Sequence, residues 1–113
     1  MTALAIVGAV GLAVIAFWPH VTRAPLRARE EALREDLFTF RSCLDHYFAD
    51  KGRYPASLEA LTSEKYLRRI PVDPFTRSNE TWRVTRDDES NGLIDVHSGS
   101  QETSSDGTRY DTW

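Results

Sequence analysis

The chain has 113 residues, a formal net charge of −3 and a single cysteine. This charge balance provides no basic surface for nucleic acid, and one cysteine cannot form an intrachain disulfide. No spacing of cysteine and histidine resembles a zinc site. The length allows one small domain with a modest core beside a membrane segment.

An uncharged run covers residues 2–18 (TALAIVGAVGLAVIAFW) and is followed by Pro19. As a helix it spans about 26 Å, which is just enough to cross a bilayer with slight thinning. The run is longer than a secretory h-region and has neither a basic n-region nor a small-residue cleavage site. It also lacks the polar face of a soluble core helix. We therefore predict a membrane-inserted helix that stays in the mature protein.

Two sets of residues in this run are predicted to contact other helices. Small residues form a seam that consists of Ala5, Ala9 and Ala13 with Gly8 and Gly11 beside it. Bulky residues form a stripe that consists of Val7, Val10, Val14 and Phe17. Small residues let helix backbones approach closely in lipid, although alanine and glycine are also common in membrane helices generally. Together with Pro19, these residues make up the predicted assembly helix.

A second helical pattern follows over 24–50. Apolar residues recur there at spacings of three and four, at Leu26, Ala32/Leu33, Leu37, Phe40, Leu44, Tyr47 and Phe48. Pro19 and Pro25 are expected to kink or locally melt the junction with the membrane half. Glu30 and Arg34 have the spacing and polarity of an i,i+4 ion pair. We expect Cys43 to be a small buried hydrophobic residue.

The helix is predicted to end at Gly52, which can adopt a left-handed backbone conformation. Ser57 is a predicted N-cap for a short helix over 57–67. The segment 71–75 (PVDPF) is predicted to be a rigid loop in which Asp73 accepts backbone hydrogen bonds.

Two strands are predicted next, at 81–85 and 93–97. The turn between them ends in Asn91-Gly92, which is a strong hairpin signal. The polar tail 98–113 contains Tyr110 and Trp113, and we expect it to fold back onto the sheet because disordered tails seldom carry such aromatic residues.

These elements predict an α+β fold. A long N-terminal helix, with a transmembrane first half and an amphipathic second half, packs on a small antiparallel sheet with a short extra helix. Residues 1–22 are predicted to form the transmembrane half of the helix. Residues 23–113 form a globular head, in which 80–113 supply the sheet and a closing loop.

The order of these features resembles the type IV pilin-like family. The local matches are GRYP at 52–55 with the leucines behind it, PVDPF at 71–75, and the segment from 92 through Asp106-Gly107 to Trp113. The spacing of Gly11 and Pro19 is also similar to that of pilin membrane helices. More narrowly, the chain is most similar to the major (G-type) pseudopilin of type II secretion systems.

This resemblance implies a structural subunit of a pseudopilus, and not an enzyme. Such subunits are held in the bacterial inner membrane by a single span, with the head in the periplasm. An assembly ATPase and a polytopic platform protein extract them into a helical fibre with other pseudopilins, and the N-terminal helices bundle in its core. The alternative is an independent single-pass protein whose small extracytoplasmic head binds a partner.

The N-terminus departs from the family pattern. Pilins begin with a basic leader and a processed segment that contains a glutamate, and alignment on Gly11 and Pro19 places Thr2 at that glutamate. This implies either a start that lacks the leader or a subunit that dispenses with the glutamate. The family's N-terminal processing and methylation therefore do not carry over directly to this chain. Four arginines follow the apolar run, which by the positive-inside rule favours a cytoplasmic head, at Arg23, Arg27, Arg29 and Arg34.

The resemblance also implies one calcium ion in the closing loop. The candidate calcium ligands there are Ser98, Glu102, Asp106 and Asp111. Calcium takes six to eight oxygen ligands, so a loop rich in Asp, Ser and Gly has suitable chemistry. A solvated polar loop held by Tyr110 is the alternative.

No pattern in the chain predicts catalysis. Asp95, His97 and Ser98 are close in sequence, but neighbouring residues on a strand point to opposite faces and cannot form a triad locally. No nucleophile–base pair, phosphate-binding loop or spaced carboxylate pair is present in the sequence.

Overall fold

The computed structural model describes residues 25–113, which form an α+β unit in which a long helix packs on a small antiparallel sheet. The elements in chain order are α1 (Leu26–Lys51), α2 (Leu58–Ser63), β1 (Arg83–Arg86), β2 (Leu93–His97) and a short 3-10 helix (Tyr110–Thr112). The predicted transmembrane and assembly half, residues 1–22, lies outside the described residues. Among the helices of residues 25–113, none is long and apolar enough to cross a membrane.

Helix α1 buries one face along most of its length. The buried apolar residues on it are Leu33, Leu37, Phe40, Cys43, Leu44 and Tyr47. This confirms the predicted stripe and the burial of Cys43, whose thiol donates a hydrogen bond to the Tyr66 carbonyl oxygen at 3.1 Å. Of the predicted pair Ala32/Leu33, Leu33 is buried and Ala32 is exposed. The prediction was wrong for Leu26 and Phe48, which are each 44% exposed.

These two errors arise at the ends of the helix. The first buried residue of α1 is Glu30, so the rest of the head covers the helix only from about one turn beyond Leu26. Phe48 is one position past the buried Tyr47, about 100° around the helix, and stacks instead on Tyr54 with ring centroids 4.6 Å apart.

Local turn chemistry determines how both helices are bounded. Gly52 has φ of 70° and its N–H donates to the Phe48 carbonyl, which confirms the predicted C-terminal stop. The Ser57 hydroxyl accepts a hydrogen bond from Ala60 N at 3.2 Å, which confirms the N-cap. Helix α2 ends at Ser63 and not at 67, because Lys65 adopts φ of 68° and a left-handed residue cannot continue the helix.

The sheet is a two-stranded hairpin in which Arg83 is paired with His97. The first strand begins at Arg83 and not at 81, because Trp82 is used for packing. Its indole packs edge-on against Phe40 at 5.0 Å, and its Nε1 donates to the Pro71 carbonyl at 2.8 Å. The first two residues of the predicted strand therefore lie outside β1, and one of them, Trp82, is buried in the core instead.

The hairpin turn and the chain beyond β2 follow the prediction. Asp87 N donates to the Gly92 carbonyl, and Asn91 has φ of 59°, as expected for an Asn-Gly turn. The closing loop (residues 98–113) folds back, with Tyr110 almost fully buried and Trp113 packed against the core. The core therefore joins α1, α2, the hairpin and the closing loop.

Candidate functional site

A buried carboxylate fixes the start of the closing loop. Asp73 is fully buried, and its Oδ1 accepts a hydrogen bond from Phe75 N at 2.9 Å, as predicted for this turn. Its Oδ2 accepts from the Ser98 hydroxyl at 2.7 Å and from Gly99 N at 3.1 Å. Gly99 passes so close to Thr81 that an added Cβ would lie 2.2 Å from the Thr81 carbonyl oxygen. Asp73 thus ties the 71–75 loop to the chain that leaves β2.

A second buried carboxylate fixes the middle of the loop to α1. Glu30 accepts hydrogen bonds from Ser105 N at 3.0 Å, from Ser105 Oγ at 2.7 Å and from the Tyr110 hydroxyl at 3.1 Å. The backbone hydrogen bond from Ser105 is the main cause of a lowered Glu30 pKa, while burial acts in the opposite direction. The expected ion pair between Glu30 and Arg34 is therefore absent, and Arg34 pairs with Glu31 at 2.9 Å.

An aromatic cluster continues this attachment. Phe75 and Tyr110 stack with ring centroids 3.8 Å apart, and Trp113 meets Tyr110 edge-on at 5.1 Å. Two arginines of α1 cap the ends of the cluster, with Arg29 over Phe75 at 5.1 Å and Arg34 over Trp113 at 4.3 Å. The first turns of α1 and the last residues of the loop therefore form one packed unit.

Arg41 holds the end of the loop against β2. Its Nε donates to Asp95 Oδ1 at 2.9 Å, and its Nη2 donates to the Trp113 carbonyl at 2.7 Å. Burial would raise the Asp95 pKa, but the hydrogen bonds from Arg41 and from Val96 N outweigh it and the pKa is lowered. His97 Nδ1 lies 2.8 Å from the same Trp113 oxygen.

The arrangement around β2 does not form a catalytic triad. His97 Nε2 lies 3.4 Å from Asp95 Oδ2, but the Ser98 hydroxyl points to Asp73 on the other side of the strand. This confirms the expectation from strand geometry that the three neighbours do not converge.

The four residues of the predicted calcium loop have separate partners. Ser98 binds Asp73, and Glu102 is exposed. Asp106 accepts hydrogen bonds from the Ser104 and Thr108 side chains and from Thr108 N, and the Ser104 hydroxyl is the main cause of an Asp106 pKa lowered to about 2.

The fourth of these residues, Asp111, pairs with Arg83 at 3.2 Å and with Arg109 at 2.7 Å. Within residues 25–113, no three His, Cys, Asp or Glu side chains gather into a group that could hold a metal ion. The four residues are therefore not brought together around one point in the described part of the chain, and calcium binding stays a prediction.

Sequence reasoning missed the roles of two residues that build this region, Glu30 and Arg41, and the exposure of Phe38 on the outer side of α1. Glu30 and Arg41 act on partners more than fifty positions away, so no local spacing reveals their roles. Phe38 is 72% exposed on α1. This exposure could have been predicted from the sequence, because Phe38 falls outside the apolar stripe that includes Leu37 and Phe40. The predicted assembly residues between Ala5 and Pro19 lie outside the described residues.

Hydrogen bonds and aromatic contacts hold the closing loop against α1, β2 and the 71–75 loop. The buried polar groups of the head join distant segments of one chain through hydrogen bonds, and within residues 25–113 one buried side-chain nitrogen, Arg29 Nε, has no hydrogen-bond partner. Comparisons with protein families, with characterised proteins and with solved structures found no match.

Proposed function

We propose that the chain is a structural subunit of a pseudopilus or pilus-like fibre, and that it serves protein secretion of the type II kind. The observation that supports this most directly is the organisation of the head around α1. This helix begins at Leu26, directly after Pro25 and a few residues after the uncharged run 2–18. A head built on such a helix suits a subunit that is held, extracted and stacked through its N-terminal segment.

The attachment of the closing loop gives further support. In the first turns of α1, Glu30 accepts hydrogen bonds from Ser105 and Tyr110, and Arg34 lies over the Trp113 ring. Arg29 lies over Phe75, which stacks on Tyr110 of the closing loop. A force applied along the helix from its N-terminal end is thereby distributed over the whole head. A fibre subunit requires this property more than an independent anchored binder does.

In this proposal, residues 1–22 reside in the inner membrane and the head lies in the periplasm. The seam of Ala5, Ala9 and Ala13 and the stripe that includes Val10 and Val14 face lipid before assembly and neighbouring subunits afterwards. The partners are further copies of the chain, other pseudopilins and the inner-membrane platform. No catalytic step belongs to the head.

The test is electron microscopy of sheared envelope fractions from cells that hold the assembly machinery and overexpress the full-length chain. An antibody to the head should label thin filaments. Label confined to the membrane, with the machinery present, would favour the alternative of an independent anchored binder.

Two variants sharpen this test. Val14→Asp should abolish the filaments, because an unpaired carboxylate is costly inside a helix bundle or a bilayer, while Val14→Leu should preserve them. Fractionation of both variants reports membrane insertion separately. Replacing residues 2–18 by an unrelated apolar span should also abolish filaments, and an independent binder would tolerate that exchange.

A further inference from the structure

The outer line of α1 carries an apolar side chain where solvent would favour a polar one. Glu31, Phe38 and Asp45 are spaced by seven residues and therefore lie on the same side of the helix. This side is opposite the fully buried Phe40, which is 200° further around the helix. Phe38 is the most exposed large hydrophobic residue in the described part of the chain. Most of its ring is therefore open to contact from outside this head.

The surroundings of Phe38 carry an excess of negative charge. Glu35 and Asp45 are exposed and form no ion pair with any residue in 25–113. The nearby arginines are already engaged, Arg34 with Glu31 and Arg41 with Asp95. We call Glu35, Phe38 and Asp45 the acidic ridge.

A surface of opposite charge lies on the segment after α2. Arg68 and Arg69 are exposed and without ion-pair partners among the described residues, and Val72 is 56% exposed. The segment is held at both ends, because Leu67 and Asp73 on either side are buried. We call Arg68, Arg69 and Val72 the basic patch. Like the acidic ridge, it combines an exposed apolar side chain with two unpaired charges.

We infer that the acidic ridge of one subunit binds the basic patch of a second copy of this chain. The two surfaces are opposite in charge, and each includes one exposed apolar residue. Within one molecule their charged groups form no ion pairs with each other. Because the two surfaces differ, the contact is heterologous and leaves one of each free on every growing assembly. Such a contact propagates into an open helical array when the rotation between subunits does not close a ring, which is the case in the proposed fibre. The inference rests on the proposed fibre function, since it identifies the second copy as the neighbouring subunit.

Thiol crosslinking in the full-length chain tests this contact. The variant Phe38→Cys/Val72→Cys, produced in cells that hold the assembly machinery, is treated with a short bismaleimide. The expected result is a ladder of dimers, trimers and larger species. The wild-type chain is the control, because its only thiol, Cys43, is buried. No crosslinked species, or only dimers, would overturn the inference. Dimers from Phe38→Cys alone would indicate a symmetric contact and would also overturn it.

Charge reversal provides an independent test in the same crosslinking background. Glu35→Lys/Asp45→Lys should eliminate the ladder, and so should Arg68→Glu/Arg69→Glu. Combining the four changes should restore it, because the contact then has its charges exchanged. All four side chains are exposed, so the folded head tolerates these changes. A ladder that persists in either double reversal, or is not restored in the combination, contradicts the pairing.

The outcomes separate this inference from the fibre proposal. Labelled filaments without a ladder refute the contact and leave the fibre function standing. The absence of both filaments and ladder refutes both. A ladder without filaments supports the contact between copies and refutes the fibre as its product.

Discussion

Replacing Tyr110 by phenylalanine removes one hydroxyl from the buried cluster around Glu30. The ring remains, so its stacking on Phe75 and its edge contact with Trp113 are preserved. What is lost is the hydrogen bond from the Tyr110 hydroxyl to Glu30 Oε2 at 3.1 Å. The change therefore tests whether the carboxylate of α1 holds the closing loop.

The expected magnitude follows from the state of the acceptor. A net hydrogen bond to a charged group contributes about 1.5–3 kcal/mol, and the lower part of this range applies because the two Ser105 donors remain. We expect Tyr110→Phe to lower the free energy of unfolding by about 1.5 kcal/mol. For a domain of this size, the melting temperature then falls by about 6–12 °C.

The assay is thermal and urea unfolding of a fragment of residues 25–113. Tyr66→Phe is a matched control, because the Tyr66 hydroxyl also donates to a carboxylate, Asp50, at 2.7 Å but does so at the surface. Tyr66→Phe should leave the melting temperature unchanged within error. Equal effects of the two substitutions would refute the role assigned to Glu30.

Three further predictions concern other groups. Burial, with help from Glu35 and Asp73, raises the pKa of Asp36 from 3.8 to about 6, so the folded state binds a proton there that the unfolded state has released. Wild-type stability from this group therefore falls as pH rises through that window; Asp36→Asn should be more stable than wild type at about pH 7.5 in urea titrations, with the difference shrinking toward about pH 5. Burial also raises the pKa of the Cys43 thiol, so mass spectrometry should find it unreactive to maleimide until urea unfolds the fragment. If calcium binds the closing loop as the resemblance implies, calorimetric titration of the fragment should detect one site and Asp106→Asn should weaken it; an absence of heat and of thermal stabilisation would contradict that prediction.

The parts of the fold that could be predicted are those that local physics determines. The buried face of α1 follows from a period of 3.6 residues, and the stop at Gly52 follows from its freedom to adopt a left-handed conformation. Ser57 as an N-cap and Asn91 in the hairpin are similarly local. In each case the residue's partner lies within a few positions, so the sequence contains the whole interaction.

The errors occur where distant contacts compete with local preference. Trp82 belongs to a plausible strand in the sequence, but its indole packs on Phe40 and donates a hydrogen bond to Pro71 in the core. Strand pairing therefore starts at Arg83, the residue after Trp82. The predicted length of α2 was wrong because Lys65 is left-handed, and its residue type does not indicate this conformation. Periodicity alone could not show where packing against the helix begins.

The candidate site depended even more on distant contacts. Glu30 has a favourable local partner in Arg34, yet the structure gives it Ser105 and Tyr110, which are 75 and 80 positions away. A buried carboxylate with several donors is more strongly stabilised than a solvated i,i+4 pair, so the distant arrangement is preferred once the loop has folded back. This preference could only be found with the loop in place.

These observations together assign three different roles to three sides of one helix. The side with Phe40 builds the core, the flank with Glu30 and Arg34 holds the closing loop, and the outer line with Phe38 is left for a neighbour. The first two roles make the head resistant to a pull along α1, because separating the first turns of the helix also requires burial and hydrogen bonds at the end of the chain to be lost. The third role uses the same rigidity, since a charge-matched contact between copies keeps its register only if the ridge and the patch are fixed relative to each other. In the proposed fibre, α1 would therefore provide both the stability of each head and the regular spacing between heads.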